Sequence, residues 1–277
     1  MKKNKYKILV LSDLNKSTST MLKNSVSLAK MIHGEIHFLC VKKPSEIVEK
    51  ESQLSAMRTI NEEHFALKKE ILNLTTPISK THNIGISPTL SFGNVKSEIE
   101  SCIKALNPDI IVLGKRKPKT IKLMGDNIIQ LVLKQHKGVI MISPDEQVIE
   151  PNKKLTLGLL NNSDGTFNFE FEKDLMNHTN KPFKSFKVIK NSNELKHSSN
   201  ELGKDVVEFV FEHNDNTIKN LSNYMFKNNI NLLCLDRTEG NTTSKSRQTI
   251  SNIDDIISNL NIPLLLSGVK QLSRNPI

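Results

Sequence analysis

The sequence predicts an α/β fold in which two doubly wound, five-stranded and mostly parallel sheets follow one another along the chain. Three observations support this. Short, dense apolar runs typical of fully buried strands alternate with amphipathic stretches, an order that favours parallel sheets covered on both faces. The same order of elements occurs twice. The length of 277 residues suits one large or two ordinary domains.

The repeat is visible in matching segments. "KYKILVLSD" near the start corresponds to "KKLTLGLLNNSDG" from Lys153, and "VKSEIESCIKALNPDIIVLG" corresponds to "TIKNLSNYMFKNNINLLCLD". Each copy finishes with a helix and a last strand, "KGVIMIS" and "NIPLLLSG". The segment between the copies, "PDEQVIEPNKK", is polar, proline-flanked and linker-like. We therefore predict domains at residues 1–146 and 152–270.

The first copy reads as a regular alternation of strands and helices. Gly34 is predicted to end the first helix, and Pro88 places the third strand at a sheet edge, because proline cannot donate a ladder hydrogen bond. The long charged stretch from Ser45 to about Leu74 has apolar residues near helical spacing. The predicted strands are 8–11, 36–41, 86–92, 110–113 and 139–142, and the other helices cover 17–32 and 95–106.

The second copy is shorter and less regular. Phe167, Phe171 and Leu175 suit a helix, and the long helix of the first copy has no full counterpart. The polar segment 191–205 is predicted to be a loop. The predicted strands are the one after Lys153 and those at 186–189, 206–211, 232–235 and 264–266.

Composition excludes several classes of function. The three cysteines lie in apolar stretches without metal-pair spacing, and the eight histidines form no H-x-H or H-E-x-x-H pattern. There is no G-x-S-x-G nucleophile motif and no complete Walker motif. We therefore expect no catalytic residue, no metal site and no enzyme.

Charge and hydropathy limit the partners. Residues 1–150 hold 23 basic and 15 acidic residues, a net +8, and the remainder holds 16 and 14, a net +2, which together give +10. This surface favours anions in general. No apolar run approaches the roughly 18 residues of a membrane helix, and the short apolar run after the basic start is too short for a signal peptide. We expect a cytoplasmic protein without a membrane partner.

One segment has the order of a phosphate-binding loop. "IVLGKRKPKTIKLMGDNIIQLV", from Ile111 to Val132, passes from a buried strand through Gly114 and a basic loop to Gly125 and a helix. Glycines let backbone approach a phosphate, and amides at a helix start attract its charge. The residue that opens this helix is Asp126, however. It is a good N-cap worth about 1 kcal/mol, but its carboxylate repels a phosphate unless nearby lysines offset it.

The first copy resembles a universal stress protein domain. The resemblance rests on "ILVLSD", which ends in an aspartate, on "FGNVKSEIESCIKALNPDIIVLG" and on the closing strand "GVIMIS". It covers the first half in order and the second half weakly, which implies a tandem member. It also implies an adenine nucleotide alpha hydrolase-like fold with strand order 3-2-1-4-5. The two final strands would pair at the centre as an intramolecular pseudo-dimer, and a homodimer stays open.

The resemblance also implies a candidate ligand site. Many members bind ATP through G-x2-G-x9-G-[S/T], which would place Gly114 first, Lys117 at the second glycine, Gly125 after seven residues instead of nine, and Asp126 at the hydroxyl position. Lys115 belongs to the same basic loop. Asp13 and Val41 correspond to the positions that contact the base and ribose. In the second copy Asn161 or Asn162 replaces the aspartate, and the loop retains only Gly240 and Ser251, so we expect no ATP there.

These observations predict a non-catalytic stress-response or regulatory protein with at most a degenerate nucleotide or anion site in its first domain. No cofactor is required, and ATP or AMP is the candidate ligand. A protein partner is expected but not identified. Three alternatives stay open: a genuine ATP or AMP sensor, a basic RNA-associated module and, as the weakest, an enzyme with slow ATP hydrolysis. Nucleic acid is the less favoured partner, because basic and aromatic residues are not interleaved as stacking surfaces require.

Overall fold

The computed structural model describes residues 6–44, 53–115, 128–160, 169–189, 206–237 and 253–268. Within these ranges the chain forms ten strands and seven helices. In chain order they are β1 (Tyr6–Ser12), α1 (Thr18–Ile32), β2 (Gly34–Lys42), α2 (Gln53–His82), β3 (Ile86–Phe92), α3 (Val95–Leu106), β4 (Ile110–Gly114), α4 (Ile128–Gln135), β5 (Val139–Ser143), β6 (Leu157–Leu160), α5 (Glu172–Asn177), β7 (Phe183–Ile189), β8 (Val206–Glu212), α6 (Thr217–Lys227), β9 (Leu232–Leu235), α7 (Ile253–Asn259) and β10 (Leu264–Leu266).

The ten described strands form one continuous sheet with the order β3-β2-β1-β4-β5-β10-β9-β6-β7-β8. Strands β1–β5 are called the first half below and strands β6–β10 the second half. Each half has the order 3-2-1-4-5, and its own strands are parallel. The halves meet where β5 and β10 pair antiparallel, with Met141 opposite Leu265. The predicted fold class is confirmed, with the two sheets joined into one.

Helices cover both faces of the sheet. The core on one face includes residues of α1, α2 and α5, and the core on the other face includes residues of α3, α4, α6 and α7. Both cores cross the boundary between the halves. On the first face the ring of Tyr6 packs edge-on against Phe171 of the second half, with ring centroids 5.5 Å apart. The halves therefore share apolar core as well as backbone hydrogen bonds.

The end of α1 corrects one prediction. The residue in the left-handed conformation is His33, with φ 58° and ψ 44°, and Gly34 is already the first residue of β2. Gly34 packs closely against β1, because a Cβ there would lie 2.9 Å from Cδ1 of Ile8 and the Ile8 side chain would have to shift. The prediction that Gly34 ends the helix is therefore wrong by one residue. The sequence signal was real but its cause was close contact between neighbouring strands.

The edge of the first half agrees with the sequence at Pro88. Strand β3 is the outermost strand of the described sheet, as the proline predicts. The long helix α2 extends to His82, eight residues beyond the predicted end near Leu74, and contains Pro77. Leu74 and Ile78 pack against the core of that face, which explains why the helix continues. The predicted start of this helix at Ser45 lies outside the described residues.

The segment between the halves is packed rather than loose. Asn24 of α1 is fully buried, and its amide donates to Ser143 Oγ at 2.9 Å and to the carbonyl of Gln147 at 3.0 Å. Its Oδ1 accepts the backbone N–H of Ile149 at 2.7 Å. Backbone groups of this segment are therefore fixed by hydrogen bonds to α1. The boundaries at residues 146 and 152 stay a prediction.

In the second half, β9 and β10 match their predicted bounds, while β7 begins three residues earlier, at Phe183. The helix predicted around Phe167, Phe171 and Leu175 is the six-residue α5, which starts only at Glu172. The predicted loop at 191–205 lies outside the described residues. None of the helices in the described part of the chain has the length and apolarity that a membrane crossing requires.

Candidate functional site

A cavity of about 290 Å³ opens at the carboxyl ends of β1, β2 and β4. In the sheet order, the chain proceeds from β1 in one direction to β2 and β3 and then returns to β4 on the other side. Open parallel sheets bind ligands at such a switch point. The lining residues are Leu11, Ser12, Asp13, Asn15, Ser17, Met21, Leu39, Val41, Lys42, Lys43, Val95, Ile99, Leu113, Gly114, Ile128 and Ile129.

The turn after β1 presents Asp13 at the cavity. Ser12 Oγ accepts the backbone N–H of Leu14 at 3.1 Å and lies 2.9 Å from Thr18 Oγ1. Leu14 is left-handed, with φ 60°, a conformation that a non-glycine residue adopts only where its surroundings enforce it. Lys42 of β2 donates to the carbonyl of Asp13 at 3.2 Å. These bonds hold the exposed Asp13 at a fixed place between the two strand ends.

Two polar residues just before α1 line the cavity. Asn15 Oδ1 accepts from the backbone N–H of Ser17 at 2.9 Å and from its hydroxyl at 2.7 Å. Ser17 is buried, and its own side chain does not cap the helix. Sequence reasoning missed Asn15, Ser17, Lys42 and Lys43 as lining residues. Their place directly after the first two strands was the available signal, because the carboxyl ends of parallel strands meet at one edge.

Gly114 at the end of β4 has open space in front of it. A Cβ at this position would meet Ser17 Oγ at 3.5 Å and Met21 Sδ at 3.8 Å, which are ordinary contacts. No neighbouring atom of the described residues therefore excludes a side chain here, in contrast to the close contact with Ile8 at Gly34. The absence of a side chain instead leaves backbone accessible from the cavity, as an approaching ligand would need.

Lys115 is directed away from this cavity. Its ammonium donates to the carbonyl of Leu260 in the second half at 3.0 Å, and its backbone N–H donates to Ser143 at 2.7 Å. Burial lowers the pKa of Lys115, although nearby Asp145 opposes that shift. The ammonium group and the backbone N–H of Lys115 thus each have a partner in the protein. This geometry argues against the expectation that Lys115 contacts a phosphate, and its cause is the contact between the halves.

The remaining predicted site residues divide into two groups. Val41 and Asp13 both line the cavity, and the ligand contacts that the resemblance implies for them stay predictions. Lys117, Gly125 and Asp126 lie outside the described residues, and their roles stay predictions.

Cysteine and metal chemistry gain no support from the geometry. Burial raises the pKa of Cys40 to about 11 and raises that of Cys234 well above its usual range, so both thiols stay protonated near neutral pH. The described ranges contain no group of three or more His, Cys, Asp or Glu residues that could hold a metal ion.

The comparison with protein families explains the architecture. The model of the universal stress protein family matches residues 6–143, from the first residue of β1 to the last residue of β5. Residues 6–143 of this chain belong to the universal stress protein family. The match ends where the junction strand β5 ends, so the second half is related to the first by strand order and not by this match. No curated protein matches the chain significantly.

Solved structures share the fold over nearly the whole chain. A universal stress protein from Archaeoglobus fulgidus DSM 4304 is 14% identical, with a TM-score of 0.62 over 97% of this chain and 99% of its own. A functionally unknown protein from Pseudomonas aeruginosa PAO1 is 11% identical, with a TM-score of 0.53 over 95% and 92%. Another universal stress protein, solved in complex with cAMP, is 15% identical over 50% of this chain and 97% of its own. Its TM-score of 0.37 is too low to argue a ligand by analogy.

Proposed function

We propose that this protein is a non-catalytic regulatory member of the universal stress protein family, and that its first half holds a nucleoside or nucleoside monophosphate. The observation that carries the proposal is the cavity of about 290 Å³ between Asp13, Val41 and Gly114. This volume is at the small end of ligand pockets, which span roughly 300–1,000 Å³. The family match over residues 6–143 supports the stress-response role.

The composition of the cavity supports a ligand that is part planar and apolar, part polar. Leu39, Val41 and Ile99 provide an apolar wall, while Asp13 and Asn15 provide hydrogen-bonding groups at the rim. Lys42 and Lys43 add positive charge beside them. A purine or pyrimidine would lie against the wall, the carboxylate of Asp13 would accept from ribose hydroxyls, and the lysines would attract one phosphate.

A triphosphate is the weaker candidate for two reasons. Lys115, which follows the glycine at the cavity, already donates to Leu260. In the sequence, Asp126 stands where the family pattern has a hydroxyl residue, and a carboxylate at that position would repel a phosphate that bound there. The site therefore favours one phosphate over three.

The hydroxyl groups of the cavity support a binding role. Ser12 lies against the Thr18 hydroxyl and the Leu14 amide, and the hydroxyl of Ser17 donates to Asn15. Among the described residues, neither serine is paired with a general base of the kind that activates a nucleophile. Asp13 is the single titratable acid among the described lining residues.

Calorimetric titration of the full chain with adenosine, AMP and ATP at two salt concentrations tests this proposal. We expect saturable binding of adenosine or AMP, with ATP no tighter than AMP, and affinity reduced at least about tenfold by Asp13→Ala. Asp215→Ala is the matched control, because it removes the same charge from an exposed turn before α6 in the second half. No turnover of ATP is expected during prolonged incubation.

Each other outcome identifies a different function. ATP binding much tighter than AMP binding would contradict the one-phosphate proposal and favour the genuine ATP sensor. Steeply salt-dependent binding of a short RNA, without nucleotide binding, would favour the RNA-associated module. Equal loss of affinity in Asp13→Ala and Asp215→Ala would place the ligand elsewhere.

A further inference from the structure

The register of the central strands makes positions in the two halves equivalent. Because Met141 faces Leu265 across the β5–β10 junction, a twofold rotation about that pair exchanges the halves. Ser143 then corresponds to Ser267. Leu113 of β4 pairs with Ile142, and Leu235 of β9 pairs with Leu266, so Leu113 and Leu235 are equivalent. Two residues after each of them come Lys115 and Arg237, which are therefore equivalent too. His136 lies five residues before Met141 and Leu260 lies five residues before Leu265, so these two residues are also equivalent.

Two hydrogen bonds between the halves obey this symmetry. Lys115 donates through Nζ to the carbonyl of Leu260 at 3.0 Å, just beyond the end of α7. Arg237 donates through Nη1 to the carbonyl of His136 at 3.1 Å, just beyond the end of α4. In each case a cationic side chain of one half donates a hydrogen bond to a carbonyl at the C-terminus of the last helix of the other half. Positive charge is favoured at this end of a helix.

The second contact is the more extensive. Arg237 is only 6% exposed, and its guanidinium donates to the carbonyl of Ser267 at 2.7 Å and also to the carbonyl of Gly138. Burial lowers the pKa of Arg237 to about 10, so the group stays charged at neutral pH. Its backbone N–H donates to Ser267 Oγ at 3.0 Å. The guanidinium therefore joins the last strands of both halves, since Gly138 precedes β5 and Ser267 follows β10.

We propose that Lys115 and Arg237 couple local unfolding of one half to local unfolding of the other. These two residues are called the latches below. Each latch residue follows the fourth strand of its own half and holds the last helix of the opposite half. Lys115 also directly follows Gly114 of the cavity, so the second half positions the strand end that lines the ligand site. The second half thereby acts as a positioning element for the first. This coupling requires no ligand and can be tested whether or not a nucleotide binds.

Hydrogen exchange measured by mass spectrometry on the full chain tests the latches. Arg237→Met should speed exchange in β4 and β5 of the first half as well as in β9 and β10. Lys115→Met should speed exchange in β9 and β10. We expect about tenfold or more in each case, the order expected for losing a hydrogen bond to a charged group.

Lys184→Met is the matched control. Lys184 donates to the carbonyl of Asn228 at 3.2 Å, at the end of α6, and both residues belong to the second half. Its removal deletes the same kind of lysine-to-helix bond without crossing the junction. We expect faster exchange near α6 and unchanged rates in the first half.

Arg237→Lys covers the case in which Arg237→Met does not fold. This variant keeps one cationic group at the position, as Lys115 does in the first half. It should raise the hydrogen-exchange rates by less than tenfold, but in both halves. Changes confined to the mutated half in Arg237→Lys and Lys115→Met would overturn the proposal, and so would a first-half response to Lys184→Met of the same size.

Discussion

The two halves have the same strand order, yet equivalent positions around the fourth strand have diverged. At the end of that strand the first half has Gly114, open to a cavity, whereas the second half has Asp236. The latch positions kept a cation in both halves. The positions that join the two halves thus carry the same sign of charge, whereas the equivalent positions at the ends of β4 and β9 carry a glycine and an aspartate. Under the proposed function, the first half would be the binding half and the second its support.

Among the tests of this contrast, Phe171→Ala has the largest expected effect on stability. Phe171 is 2% exposed and packs against Tyr6 of the first half and against Phe169, with ring centroids 5.5 Å and 4.6 Å away. Truncating a buried phenylalanine costs about 3–5 kcal/mol of unfolding free energy. Denaturant unfolding measures this loss of free energy. A separate hydrogen-exchange measurement should show faster exchange in β1, which would mean that the first half is destabilised too.

Phe65→Ala is the control for that variant, because Phe65 on α2 is 72% exposed. Its effect should stay within about 0.5 kcal/mol. If Phe171→Ala left exchange in β1 unchanged, the first half would be independent and the second would not be its support.

A second test uses His136, whose equivalent in the second half is Leu260. His136 is buried, and its Nε2 has no hydrogen-bond partner among the described residues. Burial first, and Arg237 second, lower its pKa to about 4, partly opposed by the backbone and carboxylate of Asp109 and the backbone of Val139. The folded pKa lies below the unfolded value of 6.5, so stability is full above pH 6.5 and is lost as pH falls toward 4.

We therefore expect the wild-type protein to lose about 2 kcal/mol between pH 7 and pH 5 through this residue. His136→Leu copies the residue of the second half and should remove that loss while keeping the backbone carbonyl that Arg237 contacts. Urea unfolding of both proteins at the two pH values measures the difference. Equal pH dependence in both would show that His136 is not the group that titrates.

The third test compares two asparagines at the starts of α3 and α6. Asn94 accepts from the backbone N–H of Lys96 at 3.1 Å and of Ser97 at 3.2 Å, whereas Asn216 makes no side-chain cap. Asn94→Ala should cost about 1 kcal/mol, and Asn216→Ala should stay within about 0.5 kcal/mol. Thermal unfolding of the two variants side by side measures this, and equal losses would mean that the two helices start alike.

Controls aside, the smallest expected change in stability comes from Gly114→Ala. The new Cβ would make only ordinary contacts, so the unfolding free energy should change by less than about 1 kcal/mol. Affinity for AMP should nevertheless fall about tenfold if a ligand approaches this backbone. Calorimetry and denaturant unfolding of the same preparation separate the two effects. Unchanged affinity would move the ligand away from the end of β4.

Much of the fold was predictable because buried parallel strands have a strong local signature. The runs at Leu232–Leu235 and Leu264–Leu266 were predicted with the bounds observed, since every residue in them is buried. Gly34 was misjudged because a strand packing requirement and a helix-end requirement use the same residue type. The helix-end requirement is local, but the strand packing depends on a tertiary contact, here with Ile8, that local pattern cannot reveal.

The site was only partly predictable for a related reason. Asp13, Val41 and Gly114 line the cavity because strand ends are local features. The destination of Lys115 depends on Leu260, which lies 145 positions away in the sequence. No spacing rule within the loop could have predicted that contact, and the basic composition of the loop pointed to an anion instead.

The antiparallel junction between β5 and β10 has a consequence for how this chain can change. In an assembly of two identical chains, any substitution at a twofold junction appears on both sides at once, and dilution separates the chains. Here the segment at 144–154 makes the encounter intramolecular, so the junction does not depend on protein concentration. Each side can also mutate alone, which allowed a lysine on one side and an arginine on the other.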